Sequence, residues 1–171
     1  MTSQRASFDA FVNANLDGLL RTGFLMTSDE KEAEDLVQEC LFKVARHWAR
    51  MGSVRHPVAY ARRVLINLAI DDAKHRARRR AELHDADEVG ADYPELARFD
   101  TRAELTAALG ALAPRQRAVV VMRYFLDLSE AETAEALDCS VGTVKSTASK
   151  ALVRLRCSLD PDQPLREVSE S

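Results

Sequence analysis

The sequence predicts an all-α protein: two small helical domains joined by an acidic flexible linker, the second ending in two helices and a tight turn. Three observations carry this. Only 6 Gly and 5 Pro stand in 171 residues, 46% of them hydrophobic, and the abundance of Ala, Leu, Arg and Glu suits helices around a core. Apolar residues recur at three- and four-residue steps, the helical period. Charge reverses along the chain: residues 55–80 hold eight Lys or Arg against Asp71 and Asp72, and residues 81–104 hold eight acids against Arg98 and Arg102. The net charge of −3 hides two cationic surfaces separated by an acidic connector.

The elements follow in order. A first helix over about 7–22 has Phe8, Phe11, Val12, Leu16, Leu19 and Leu20 on one side. Thr27 and Glu30 have capping-box spacing for a second, about 29–50, with Ala33, Leu36, Val37, Cys40, Leu41, Val44 and Trp48 inward. Gly52, Ser53 and Pro57 bracket a loop, and a third helix runs from about 57 to 79 on a stripe of Val64, Leu65, Leu68 and Ala69. From Asp85 to Pro94 periodicity fades and Gly90 and Pro94 break it, so residues 1–80, the linker 81–100 and residues 101–158 separate, followed by a polar, Pro-containing tail, 159–171, expected to be disordered. Downstream come a helix near 101–111 and another starting at Pro114, a favoured first-turn position.

Residues 128–156 are the most informative. Ser129 and Glu132 form a capping box, Ala131, Ala134 and Leu137 one apolar stripe, and Asp138-Cys139-Ser140 a stop. Ser140 caps a second helix whose inner face is Val141, Val144, Ala148, Ala151, Leu152 and Leu155. Lys145, Lys150, Arg154 and Arg156 are its only charges, and Thr143, Ser146, Thr147 and Ser149 keep the outward face short and polar. A basic second helix with small polar groups is the pattern of a helix-turn-helix that enters a DNA major groove; a hairpin with a solvated basic face is the bland alternative. The third helix reads similarly. Tyr60, Arg62, Arg63, Asn67, Asp71 and Lys74 lie largely off its core stripe, and an aromatic, an amide and cations suit single-stranded nucleic acid, by stacking and phosphate contact. Equally, Tyr60 could pack inward with the arginines merely solvated.

Several classes are excluded. No apolar run approaches the roughly 18 residues that span a bilayer, and no signal-peptide core follows the N-terminus, so neither membrane insertion nor export is expected and the cytoplasm is. Cys40, Cys139 and Cys157 have no metal-ligand spacing, and His47, His56, His75 and His84 form no ligand or nucleophile pattern. No metal, cofactor or catalytic group is expected; the protein is expected not to be an enzyme.

Four motifs in order carry a resemblance: Asp35-Leu-Val-Gln-Glu39 with Phe42; Asn67 to Arg80; Leu112 to Tyr124; and Leu128-Ser129 with Ser140 to Ser146. Over about residues 8–158 the chain resembles a bacterial RNA polymerase sigma factor of the extracytoplasmic-function family, which keeps only the second and fourth sigma domains. The resemblance implies roles. Asp35, Leu36, Gln38, Glu39 and Phe42 match the segment that grips the polymerase β′ clamp helices. Tyr60, Arg62, Arg63, Asn67, Asp71 and Lys74 match the surface that reads and opens the −10 element. Thr143, Lys145, Ser146, Thr147, Ser149 and Lys150 match the −35 reader, with Arg115 and Arg117 near its backbone; many relatives carry a basic residue where Thr147 stands. The implied partners are core polymerase (β′ and β), promoter DNA and, as for many of the family, an anti-sigma factor. The rivals are a stand-alone helix-turn-helix regulator, which would bind duplex operator without polymerase, and a helical adaptor binding only proteins.

Overall fold

The computed structural model describes residues 2–53, 56–83 and 101–159, so the expected linker core and C-terminal tail lie outside the described residues. Every regular element among the described residues is helical, and the chain divides into two compact units, Met1–Pro94 and Glu95–Ser171.

The first unit is three mutually packed helices, α1 (Thr2–Thr27), α2 (Glu30–His47) and α3 (Pro57–Leu83), with a 3-10 turn over Trp48–Ser53 closing α2. Helix α1 overruns its expected end because Met26 is buried and Gly23 faces α2: a Cβ there would stand 3.2 Å from the Ala33 Cβ. The glycine that would break an isolated helix is what lets these two approach. Ser28, in the left-handed region at φ 60°, ends α1. The expected Thr27–Glu30 capping box does not form. Asp29 is the cap, its carboxylate accepting from the Glu32 N–H at 2.8 Å, while Thr27 Oγ1 donates back to the Gly23 carbonyl at 3.0 Å. The sequence holds two overlapping cap patterns, and an ionised carboxylate accepts the amide more strongly than a hydroxyl.

The inward residues of α1 and α2 are as expected, with Phe11, Leu19, Ala33, Leu36, Val37, Cys40 and Val44 buried. Trp48 stacks edge-on against Phe8 (5.2 Å between centroids), tilts against Phe11 (4.9 Å) and donates its indole N–H to Ser7 Oγ at 3.0 Å. Helix α3 corrects the expected stripe. Ala61, Leu65, Ile66, Ala69 and Ile70 are buried, whereas Val64 and Leu68 are only half-buried; α3 touches both α1 and α2, so its buried face is wider than a single stripe and is rotated toward Ile66 and Ile70.

Burial pushes the Cys40 thiol from 9.0 up to about 11, and its Sγ lies 3.2 Å from the Ala61 carbonyl. A group that holds its proton more tightly when folded contributes stability that is complete below pH 9 and lost as pH rises through 9 toward 11. Iodoacetamide at pH 8 should therefore label the exposed Cys157 in the native protein and spare Cys40 until the chain is unfolded. Mass spectrometry of the alkylated peptides reads this directly; equal labelling of both would contradict it.

The second unit holds α4 (Thr101–Gly110), α5 (Pro114–Val120), α6 (Glu130–Ala136) and α7 (Val141–Leu159), with α4, α5 and α6 all resting on α7. Pro114 opens α5 as expected. Unanticipated is the widened π turn of Val121–Phe125 that continues α5, closed by Leu126 N–H to the Val121 carbonyl at 3.0 Å. Five consecutive residues, Ala118 to Met122, are buried, more than one side of a regular helix can hide. Neighbours touch this segment from more than one direction, α7 against α5 and α6 against the π turn.

Candidate nucleic-acid and polymerase interface

The helix-turn-helix forms as its caps require. Ser129 and Glu132 make a complete capping box, at 2.7 Å from the Ser129 N–H to the Glu132 carboxylate and 3.1 Å from the Glu132 N–H to Ser129 Oγ. Ser129, first through its side chain and then through its backbone, holds the Glu132 carboxyl below the usual carboxylate range. The turn passes through Asp138 in the left-handed region at φ 50°, which Asp tolerates better than most non-glycine residues. The Cys139 N–H bonds the Ala134 carbonyl at 3.0 Å, and Arg115 donates to the Leu137 carbonyl at 2.7 Å. Arg117 likewise donates to the Gly110 carbonyl at 2.7 Å. These guanidinium groups, placed by sequence near the DNA backbone, are engaged in bracing the hairpin.

On α7, Ser140 Oγ caps by accepting the Thr143 N–H at 3.0 Å and also meets Thr143 Oγ1 at 2.8 Å; Ser146 Oγ donates to the Thr143 carbonyl at 3.1 Å. Val144, Ala151 and Leu155 are buried, and Ala148 and Leu152 half-buried, as expected of the inner face, while Val141 is exposed. Opposite them Gly142, Ser146, Ser149 and Val153 recur at four-, three- and four-residue steps, all exposed. Lys145 and Arg156 border that small-residue stripe on one side and Thr143, Lys150 and Arg154 on the other. This is a low central ridge between two cationic edges. Thr147 is half-buried, closer to the core than its companions. Two cations have internal partners: Lys145 Nζ is 3.6 Å from the Glu130 carboxylate, and Arg154 donates to Gln116 at 3.3 Å. DNA would have to compete with both.

In the first unit, Tyr60, Arg63, Asn67, Asp71, Lys74 and Arg78 fall at three- and four-residue steps and so share one face of α3. Arg63, Asp71, Lys74 and Arg78 are exposed, Tyr60 and Asn67 half-buried. Arg62 follows a different line, about 100° round the helix from Arg63, and is half-buried. Sequence reasoning left Arg78 out of the candidate site, although the same spacing continues to it. On α2, Asp35, Gln38, Glu39 and Phe42 are exposed opposite the core, Phe42 at 64%. Leu36 is a correction: it is buried between the helices and offers nothing to a partner. Glu39 pairs with Lys43 at 3.1 Å, and the Arg46 guanidinium lies 6.0 Å from the Phe42 ring centroid.

With this geometry in place, comparison with known proteins is decisive. Residues 11–80 match the family model of sigma-70 region 2, and residues 102–155 that of sigma-70, region 4. The chain is similar to the RNA polymerase sigma-E factor of Streptomyces avermitilis, 37% identical over 153 residues covering 90% of this chain and 85% of the relative. It is similar too to the ECF RNA polymerase sigma factor SigL of Mycobacterium tuberculosis, 32% identical over 148 residues and 82% of each chain. Among solved structures it resembles the sigma factor RpoE in complex with the anti-sigma factor NepR from Bartonella quintana, with a TM-score of 0.65 and 25% identity over 92% of this chain and 99% of that one. Rather than a stand-alone helix-turn-helix regulator, the chain is an alternative sigma factor directing transcription initiation, and it belongs to the extracytoplasmic-function family of bacterial RNA polymerase sigma factors.

Proposed function

We propose that residues 1–80 bind core polymerase and the −10 element, residues 81–100 link, and residues 101–158 bind the −35 element, in a protein that works in the cytoplasm without catalysing a reaction of its own. The exposed face of α2, Asp35, Gln38, Glu39 and Phe42, docks on the β′ subunit, with β the second polymerase contact. The α3 stripe of Tyr60, Arg63, Asn67, Asp71 and Lys74, with Arg62 beside it, holds unpaired non-template bases and so stabilises melting. The outward face of α7, with Thr143, Lys145, Ser146, Thr147, Ser149 and Lys150, reads the −35 duplex. An anti-sigma factor is a further partner, as the RpoE–NepR pair has.

The observation that carries the reading is the α3 stripe: an aromatic, an amide and three cations, Arg63, Lys74 and Arg78, on one face. Such a face supplies base stacking of roughly 1–3 kcal/mol per base together with a phosphate track. Pull-down with core polymerase followed by run-off transcription from a genomic library tests the whole; no association, or initiation that proceeds equally well without this chain, defeats it. Within that assay Lys145→Ala and Lys150→Ala should each weaken promoter binding and lower the slope of log affinity against log salt by about 1. Unchanged slopes would remove α7 from the promoter.

A further inference from the structure

Helix α3 is well anchored only as far as Ile70. None of residues 71–82 is buried, yet this second half carries Asp71, Lys74 and Arg78 and, at 1.5 Å per residue, extends about 20 Å. One cross-helix ion pair reaches it. The Arg76 guanidinium bonds Glu32 Oε1 on α2 and, through Nε, Asp72 Oδ2 at 3.1 Å one turn back on its own helix. Glu32 is itself fixed at the start of α2, where its N–H is held by Asp29, and its other carboxylate oxygen is shut off from solvent without a hydrogen-bond partner. Arg76 therefore neutralises a carboxylate that water cannot fully reach, and Asp72 pre-sets the guanidinium for it.

From this we infer that Arg76, with Glu32 and Asp72, is a positioning residue for promoter opening: it sets where the distal half of α3 stands relative to the polymerase-docking helix α2. Lys74 and Arg78 share the open face and meet DNA, whereas Arg76 faces α2 and acts through them. The inference rests on the proposed role of α3 in melting, so its test has one arm that needs no polymerase.

In the free, full-length protein, amide hydrogen exchange over residues 73–80 should quicken at least threefold in both Arg76→Gln and Glu32→Gln, with α7 unchanged. With core polymerase, on a promoter recovered by the genomic run-off, permanganate footprinting should find open complex reduced about fivefold by either variant. Polymerase affinity should stay within twofold, and a template with a pre-opened −10 region should restore activity to within twofold. The double variant should be no worse than Arg76→Gln alone, since both remove one interaction. Unchanged exchange, a deficit that persists on the pre-opened template, or a silent Glu32→Gln beside a defective Arg76→Gln would each overturn the inference, the last by making Arg76 a direct phosphate contact. A wild-type protein that opens no promoter would instead defeat the melting role, and the exchange arm would still decide whether Arg76 positions α3.

Discussion

Phe42→Ala should weaken association with core polymerase by about 30-fold, roughly 2 kcal/mol, the scale of an interface hot spot, without loosening the fold. The reasoning is one of exposure. Phe42 is 64% exposed while Leu36, Val37, Cys40 and Val44 of the same helix are buried, so the α2 core is complete without it. A surface change of this kind usually alters stability by no more than about 0.5 kcal/mol. The only ring contact that Phe42 makes is the distant one with Arg46, 6.0 Å from its centroid, at the outer limit for a cation–π attraction. A large aromatic left in water beside Asp35, Gln38 and Glu39 is a natural anchor for a docked helix. Competition for core polymerase against a labelled sigma factor, paired with a thermal melt, measures both quantities. Equal affinity with an unchanged melt would make this face merely solvated; a collapsed melt would show that the ring supports the fold.

The second large effect lies inside the first unit and separates two readings of α3. Ile66→Ala should destabilise that unit by about 2–4 kcal/mol, as truncation of a buried aliphatic side chain does, and Leu68→Ala by clearly less. Ile66 is fully buried and Leu68 only half-buried, the reverse of what the apolar spacing of Val64, Leu65, Leu68 and Ala69 implies. Against a total stability of about 5–15 kcal/mol, the first change is severe. The chain has 1 Trp, and it sits among Phe8 and Phe11 in this unit, so denaturant titration followed by its fluorescence reports on the first unit without interference from the second. A larger loss for Leu68→Ala would restore the expected stripe.

These two cases mark what was legible in the sequence. Helices α1, α2, α5, α6 and α7 could be read because each has one buried side and a start signalled by side-chain chemistry or spacing; the Ser129–Glu132 capping box formed as spaced. Helix α3 was misread in phase because it packs against two partners at once, and a face wider than one stripe has no unique period. The Thr27–Glu30 cap failed because Asp29 offered a stronger acceptor to a different amide, a competition that spacing alone does not rank. Leu36 was drawn into the docking face because it lies inside the Asp35-Leu-Val-Gln-Glu39 motif, although a motif mixes residues from both sides of a helix. Arg76 was counted only as charge: its partner Glu32 is 44 residues away in the chain, and no local pattern announces such a pair. Thr143, Lys145, Ser146, Ser149 and Lys150, by contrast, stand where the spacing of α7 put them, on its solvent side.

The widened turn at Val121–Phe125 works like a skipped thread in a screw. Its extra residue sets the angular phase with which the chain leaves α5 and begins the hairpin that carries α7, and it leaves Tyr124 and Phe125 outside, 54% and 42% exposed. Deleting a single residue there would allow an ordinary helix to close, yet everything after it would arrive about 100° out of phase, a change far larger than losing any one side chain. Insertions and deletions should therefore be tolerated least at this spot, where the amino-acid types themselves look the most interchangeable.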